Sequence, residues 1–426
     1  MLTVGSIIEG MAVDLDYQGQ GVVKYEGYVI FVPKLIDGEV AEIEITKLKK
    51  SFAEGKVKRL ITKSADRVEC DEIELGSYDL IHLSQEKQDA WQIKTTYETI
   101  KKIADIDFPI NQILTTNQTT HYRNKSVFHV LNKPYLTLGL YKDKSNELVA
   151  VDHFILSDQK TNEVLSFISK NQIKVDSNKL KHIAFRTNSK SEILITLIAT
   201  QDKFMGRNDI VSKLMTIPKV VGVTVNVKDH PKVIFGKKSK TLFGLNRITE
   251  TLNGIELQIN DRSFFQVNLP VIQMAYQLIK DQIEPNASIV DAYSGIGSIG
   301  FYLHDKVKKI TMIESNPDSI EMAKKILNKH QIEHVDIIDD LAEKVIHLLD
   351  ADFLIVDPPR QGLSEKLIEQ VIEKSFRKIF YLSCDVKTLA KNIASLQPAY
   401  ELKKVIPIKM FYQTSEIETL AILEKK

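Results

Sequence analysis

The sequence predicts an α/β protein. A Rossmann-like, doubly wound parallel sheet is expected in the C-terminal half, an OB-like β-barrel at the N-terminus and an α+β region between them. Three observations carry this. From Glu256 onward, buried apolar runs (Ser288–Asp291, Lys309–Glu314, Phe353–Asp357, Ile379–Leu382) alternate with helical patterns. The glycine turn Gly295-Ile-Gly297-Ser-Ile-Gly300 follows the first run and opens a helix. Residues 1 to 62 carry short alternating runs broken by Gly19, Gly27 and Asp37-Gly38, the spacing of a small closed barrel.

The chain has 426 residues, 43% hydrophobic and 27% charged, which suits a folded protein of two or three domains. Its formal net charge of +1 means that any nucleic-acid surface must be local. Two cysteines, Cys70 and Cys384, exclude a disulfide framework and a four-cysteine metal or iron–sulfur site, and favour a reducing cytoplasm. No apolar run is long enough to cross a bilayer, and the N-terminus does not read as a signal peptide.

Taken in order, the barrel ends in a basic stretch: Lys47, Lys49, Lys50, Lys56, Lys58 and Arg59. An amphipathic helix is expected over Ser84–Ile103, with Trp91, Ile93, Tyr97 and Ile100 on the side that packs against a neighbouring domain. Strand-like runs at Ser126–Val130, Ile193–Ile198 and Val223–Val227, with a helix near Glu163–Lys170, make the α+β region. His121-Tyr122-Arg123-Asn124-Lys125 opens it, and Lys228, Lys232, Lys237, Lys238, Lys240 and Arg247 crowd its far end. A solvated face is the default for both basic stretches; a phosphate-tracking groove is the alternative. The expected division is 1–62 for the barrel, 63–119 for linker and helix, 120–250 for the central domain and 251–426 for the catalytic domain.

The chemistry concentrates at strand ends. Cys384 lies just past Ile379–Leu382, where open α/β sheets place their ligands, and a helix N-terminus after it would depress the thiol pKa. A lone cysteine is more often a small core hydrophobe. Asp291 and Glu314 flank the glycine turn, and Asp357-Pro-Pro-Arg360 ends another strand, where two prolines stop pairing and leave the carboxylate facing the cleft. The residues alone leave several readings open: a nicotinamide oxidoreductase, an amino methyltransferase, or an RNA-binding scaffold with a silent catalytic domain.

Together the motifs resemble the S-adenosylmethionine-dependent RNA uracil-C5 methyltransferases, which make 5-methyluridine. The resemblance rests on Tyr122–Lys125, Ser263-Phe-Phe-Gln-Val-Asn268, Asp291-Ala-Tyr-Ser-Gly-Ile-Gly297, Asp357-Pro-Pro-Arg-Gln-Gly362, Ser383-Cys-Asp385 and Glu416-Ile-Glu418. It implies an N-terminal TRAM barrel and S-adenosyl-L-methionine as cofactor. It also implies Cys384 as nucleophile, Glu418 as general base, and Gln266, Tyr293, Glu314 and Asp357 in the cofactor and base pocket, with Gly295 and Gly297 at the cofactor. Arg123, Lys125, Phe264 and Arg360 are expected to meet the RNA. The partner implied is RNA, 23S ribosomal RNA first and transfer RNA as the alternative, with a monomeric enzyme and no membrane. Departures from the family pattern are Val386 for proline, Lys391-Asn392 for Arg-Asp, a doubtful match at Asp340, and the missing cluster cysteines, so no iron–sulfur cluster is expected.

Overall fold

The computed structural model describes residues 2–70 and 75–426. Residues 71–74, inside the expected 63–119 segment, lie outside the described residues. The N-terminal strands β1 (Ile7–Leu15), β2 (Gly21–Tyr25), β3 (Tyr28–Val32), β4 (Val40–Leu48) and β5 (Phe52–Thr62) close into a barrel in the order β1-β2-β3-β5-β4. Alternation fills it: Val23, Ile30, Val32, Ala41, Ile43, Ile45 and Ala53 point inward and are fully buried.

Helix α1 (Gln85–Ala104) starts where the sequence placed it. Ser84 caps it, its side chain accepting from the Lys87 N–H at 3.2 Å. The helix is buried on two sides. Trp91 packs toward the barrel and donates its indole N–H to the Asp16 carbonyl at 2.8 Å, while Ile100 and Ala104 enter the catalytic core.

The central region is a seven-stranded sheet, order β12-β11-β10-β9-β6-β7-β8. Its strands are β6 (Lys125–Val130), β7 (Leu138–Tyr141), β8 (Leu148–Ala150), β9 (Leu180–Thr187), β10 (Ile193–Ala199), β11 (Val220–Val227) and β12 (Lys238–Gly244), with helices α2 (Gln159–Lys170) and α3 (Arg207–Leu214). A hairpin, β13 (Arg247–Leu252) with β14 (Ile255–Asn260), leads out of it. The expected boundary at 250 falls inside β13. One apolar core runs on from this sheet into the next domain.

The last sheet has the order β17-β16-β15-β18-β19-β21-β20. Strands β15 (Ser288–Ala292), β16 (Lys309–Glu314), β17 (Val335–Asp339), β18 (Phe353–Val356) and β19 (Lys378–Ser383) are parallel. Strand β21 (Glu418–Lys425) is antiparallel to both β19 and β20 (Tyr400–Ile408). Helices α4 (Leu269–Gln282), α5 (Ser298–Leu303), α6 (Pro317–His330), α7 (Ala342–Val345), α8 (Glu365–Lys374) and α9 (Val386–Leu396) complete the domain. The chain winds outward in opposite directions from β15 and β18, so the crevice at their carboxyl ends is the expected ligand position.

Candidate active site

The turn after β15 is built for close approach. Tyr293, Gly295 and Gly297 all have positive φ, of 61°, 58° and 87°. For a tyrosine this conformation costs about 1–3 kcal/mol, which the surrounding fold must offset. A Cβ on Gly297 would lie 2.6 Å from the Phe301 ring, so glycine is required there. A Cβ on Gly295 would meet nothing within 4 Å, so the backbone faces open space. Glu314 pins the turn from the next strand. Its Oε2 accepts the Gly295 N–H at 2.8 Å, and its Oε1 accepts those of Ser315 and Asn316, each at 2.7 Å. Each oxygen accepts through more than one lone pair, so capacity is left for a hydroxyl.

Beneath the turn, Asp291 is fully buried. Its Oδ2 accepts the Gly300 N–H at 3.0 Å, whereas Oδ1 has no partner. Burial first, then Asp357 and Glu314, push its carboxyl up to about 7.

The second half of the site comes from three strand ends. The last pair of the β19–β21 ladder is Ser383 with Thr419, so Cys384 and Glu418 are the next opposed positions. The β15–β18 and β18–β19 ladders both end at Val356, immediately before Asp357. Cys384, Asp357 and Glu418 therefore share one edge of the sheet. Desolvation holds the Glu418 carboxyl well above the carboxylate range, reinforced by Asp357 and Glu416 and opposed by Arg360. Desolvation likewise raises Asp357, against the Gln266 amide, which donates from Nε2 to Oδ2 at 3.3 Å.

The helix after β19 does not activate the thiol. Asp385 occupies its N-cap, its side chain accepting the Thr388 N–H at 2.7 Å. Burial and the Glu418 and Asp357 charges push the Cys384 thiol up, and Arg360 pulls it down. The expected depression is thus reversed, first by burial of the sulfur and then by the carboxylates that the fold places next to it.

Cys384 opens into a cleft of about 290 Å³. Tyr17 and Gln18 of the barrel and Thr95 and Thr99 of α1 form one wall, facing Arg360, Lys387 and Glu416. Sequence reasoning missed the barrel and helix residues, because nothing local links positions 17 and 384. Arg360 is held by Glu416, Nη2 to Oε2 at 2.8 Å. Val386 is the first residue of α9, a position that proline also suits, so that departure leaves the helix intact. Asn392 is buried, and its Oδ1 accepts from the Leu363 N–H at 2.9 Å and the Tyr381 hydroxyl at 2.7 Å. It ties the Asp357–Gly362 loop down; Gly362, at φ 74°, passes so close that a Cβ would sit 2.4 Å from Asn392 Oδ1. Asp340 instead pairs with Lys344 at 2.9 Å.

Of the residues expected to meet RNA, Phe264 is 71% exposed. Arg123 and Lys125 do not line the Cys384 cleft. They flank Asn124, which donates from Nδ2 to the Gln266 carbonyl at 2.9 Å and so positions the residue that touches Asp357. The barrel's basic stretch is partly neutralised: Lys47 pairs with Glu54, Lys56 and Lys58 with Glu44, and Arg59 with Glu42. In the central domain Lys240 pairs with Asp202, while Lys232, Lys237 and Lys238 stand exposed.

Residues 88–426 match the tRNA (uracil-5-)-methyltransferase family model, and residues 3–58 match the TRAM domain. The chain belongs to the tRNA (uracil-5-)-methyltransferase family. Among curated relatives, an uncharacterized RNA methyltransferase of Oceanobacillus iheyensis is 33% identical, with 97% of this chain and 95% of that protein covered. Another from Fusobacterium nucleatum is 31% identical over 100% of this chain and 97% of its own length. The same fold occurs in the tRNA (uracil-54, C5)-methyltransferase of Pyrococcus abyssi, solved with S-adenosyl-L-homocysteine. The TM-score is 0.80 at 22% identity, covering 97% of this chain and 99% of that one. This RNA uracil-C5 methyltransferase is thus an S-adenosylmethionine-dependent enzyme with a TRAM barrel. No helix among its described residues is long and apolar enough to cross a membrane.

Proposed function

We propose that the enzyme methylates C5 of specific uridines through a covalent Cys384 adduct, with Glu418 as the base. The observation that supports this reading is the convergence of Cys384, Asp357 and Glu418 at one sheet edge, beside the glycine turn. The donor set also suits the cofactor: Asp291 keeps an orphaned, buried oxygen, and desolvation raises Asp291 and Asp357. Acids in this state are stabilised by a cation. When bound, S-adenosylmethionine supplies an electrophilic methyl group on a positive sulfur. Glu314, Tyr293, Gly295 and Gly297 would hold it.

C5 of uracil is a weak nucleophile. The Cys384 thiolate adds to C6, forming the S–C6 bond and pushing the ring electrons into an enolate whose nucleophilic carbon is C5. Gln266 and Asp357 hold the pyrimidine edge. Once C5 carries the methyl group, Glu418 takes the C5 proton, the C5–C6 double bond reforms and the S–C6 bond breaks. The base must leave its stack to reach the sulfur, and the barrel and central domains serve to hold the flanking RNA. The target we propose is 23S ribosomal RNA; transfer RNA is the alternative.

Two experiments test this. RNA carrying 5-fluorouridine at the target should trap covalently on the wild type, since fluorine does not leave as a proton does. Cys384→Ala should lose trapping and methylation while keeping S-adenosylmethionine affinity. Methylation by the alanine variant would refute the nucleophile, and mapping 5-methyluridine with and without the gene identifies the RNA.

A further inference from the structure

Away from the cleft, two cations share a single buried acid and form no direct ion pair among the described residues. Lys125 of β6 and Arg186 of β9 are registered partners on an antiparallel ladder, so both side chains leave the same face of the central sheet. Arg186 is 3% exposed. Its guanidinium donates from Nη2 to the Ser263 carbonyl at 2.7 Å, while Nε and Nη1 are buried without partners. The Lys125 ammonium lies 4.9 Å from the centre of the Phe235 ring. Neither cation forms an ion pair among the described residues. The acid that acts on both through space, Asp261, is already engaged by the Ser239 hydroxyl at 2.5 Å. Burial, and then the Arg186 charge, pull the Lys125 ammonium down to about 7.

Two neighbouring cations facing one carboxylate leave an excess positive charge that costs free energy, and donors left unpaired in the interior add to it. The arrangement becomes favourable once an anion binds. A guanidinium with free Nε and Nη1 donors can still give N–H bonds to phosphate oxygens, and an ammonium adds a point charge. We propose that Lys125 and Arg186 form a phosphate site that takes a backbone phosphate of the RNA beside the target nucleotide.

This inference rests on the RNA reading above and adds a residue that the motifs did not mark. The location argues for it. Ser263, held by Arg186, begins the turn Ser263-Phe264-Phe265-Gln266; its second residue is exposed and its fourth touches Asp357. Asn124, adjacent to Lys125, grips the same turn at Gln266 and, through its N–H, at the Val267 carbonyl. An anion drawn to the pair sits at the root of the segment that presents Phe264 and Gln266. Lys232, Lys237 and Lys238 extend the positive surface outward, and Phe235 must yield its contact with Lys125 as the phosphate enters.

The test uses the full-length enzyme, with oligouridylate as the RNA probe and inorganic phosphate as the free anion. Arg186→Gln and Lys125→Gln should each weaken oligouridylate binding about tenfold and reduce the log–log salt slope by about 0.7, with S-adenosylmethionine affinity unchanged. Arg186→Lys should retain the slope and part of the affinity. Slopes equal to wild type in both glutamine variants would overturn the proposal and leave Arg186 as a clamp on Ser263. Inorganic phosphate binding that both variants abolish, with oligouridylate binding untouched, would overturn the assignment to RNA. These readouts score binding alone, so failure of Cys384 as the nucleophile would leave them unaffected.

Discussion

Replacing Glu418 by glutamine separates the two halves of the proposed reaction. The side chain is 5% exposed, and its carboxyl is raised by burial, Asp357 and Glu416. An amide of the same size fills that space and, like the neutral acid that burial favours, adds no charge to it, so folding should not suffer. It also removes a group whose ionised form raises the Cys384 thiol, so addition to C6 should be no slower. What it cannot do is accept the C5 proton. A positioned general base is worth about 10²–10⁴-fold, or about 3–5 kcal/mol of barrier at 1.36 kcal/mol per decade. Turnover should fall by that factor while a methylated covalent enzyme–RNA species accumulates. With a radiolabelled methyl donor, denaturing gels should show label at the mass of protein plus RNA. Loss of turnover without the labelled adduct, together with weakened RNA affinity, would make Glu418 a structural or binding residue. Unchanged turnover would remove it from the mechanism.

Two further outcomes are expected. The rate of 5-fluorouridine trapping should climb roughly tenfold per pH unit below the thiol pKa, since only the thiolate attacks. Desolvation, Glu418 and Asp357 raise that pKa while Arg360 lowers it, so the rise should continue past the ordinary thiol range, and a plateau reached near neutrality would contradict the charge arrangement. Neutralising Lys237, Lys238 and Lys240 together should reduce the salt slope of RNA binding by about 0.7 per lost phosphate contact; the loss should fall short of three contacts because Asp202 already engages Lys240. An unchanged slope would return that stretch to a solvated face.

The sheet was legible in the sequence where its parallel strands are buried on both faces, so Phe353–Val356 and Ile379–Leu382 read as unbroken apolar runs, whereas the half-exposed edge strand β17 gave no such run. The barrel was legible through its period of two, and α1 through Ser84 and the apolar spacing. The state of the thiol was not. Local sequence shows only a cysteine before a helix, whereas the thiol is raised by burial and then by Glu418, which lies 34 positions on (418 − 384) and reaches Cys384 only because β21 runs antiparallel to β19. The far wall of the cleft was illegible for the same reason, since Tyr17 and Thr95 arrive from elements far back in the chain. Arg186 was hidden differently: in sequence it is one more charge in a strand, and only its burial and unpaired nitrogens distinguish it.

Two unbalanced sets of charge divide the molecule. At the carboxyl edge of the catalytic sheet, Asp291, Asp357 and Glu418 crowd together, and burial raises all three. On the face of the central sheet, Lys125 and Arg186 sit together with Asp261 as the acid they share and no direct ion pair among the described residues. A protein optimised for stability alone would pair such groups internally, since an uncompensated buried charge is costly. The proposed reaction joins a cationic donor to a polyanionic acceptor, and each imbalance has the sign that one of the two requires. The Ser263–Gln266 turn spans them, its first carbonyl on Arg186 and its last side chain on Asp357. On this reading a phosphate that settles on the cations also fixes the amide that holds the base, so RNA positioning and base recognition are two ends of one four-residue lever.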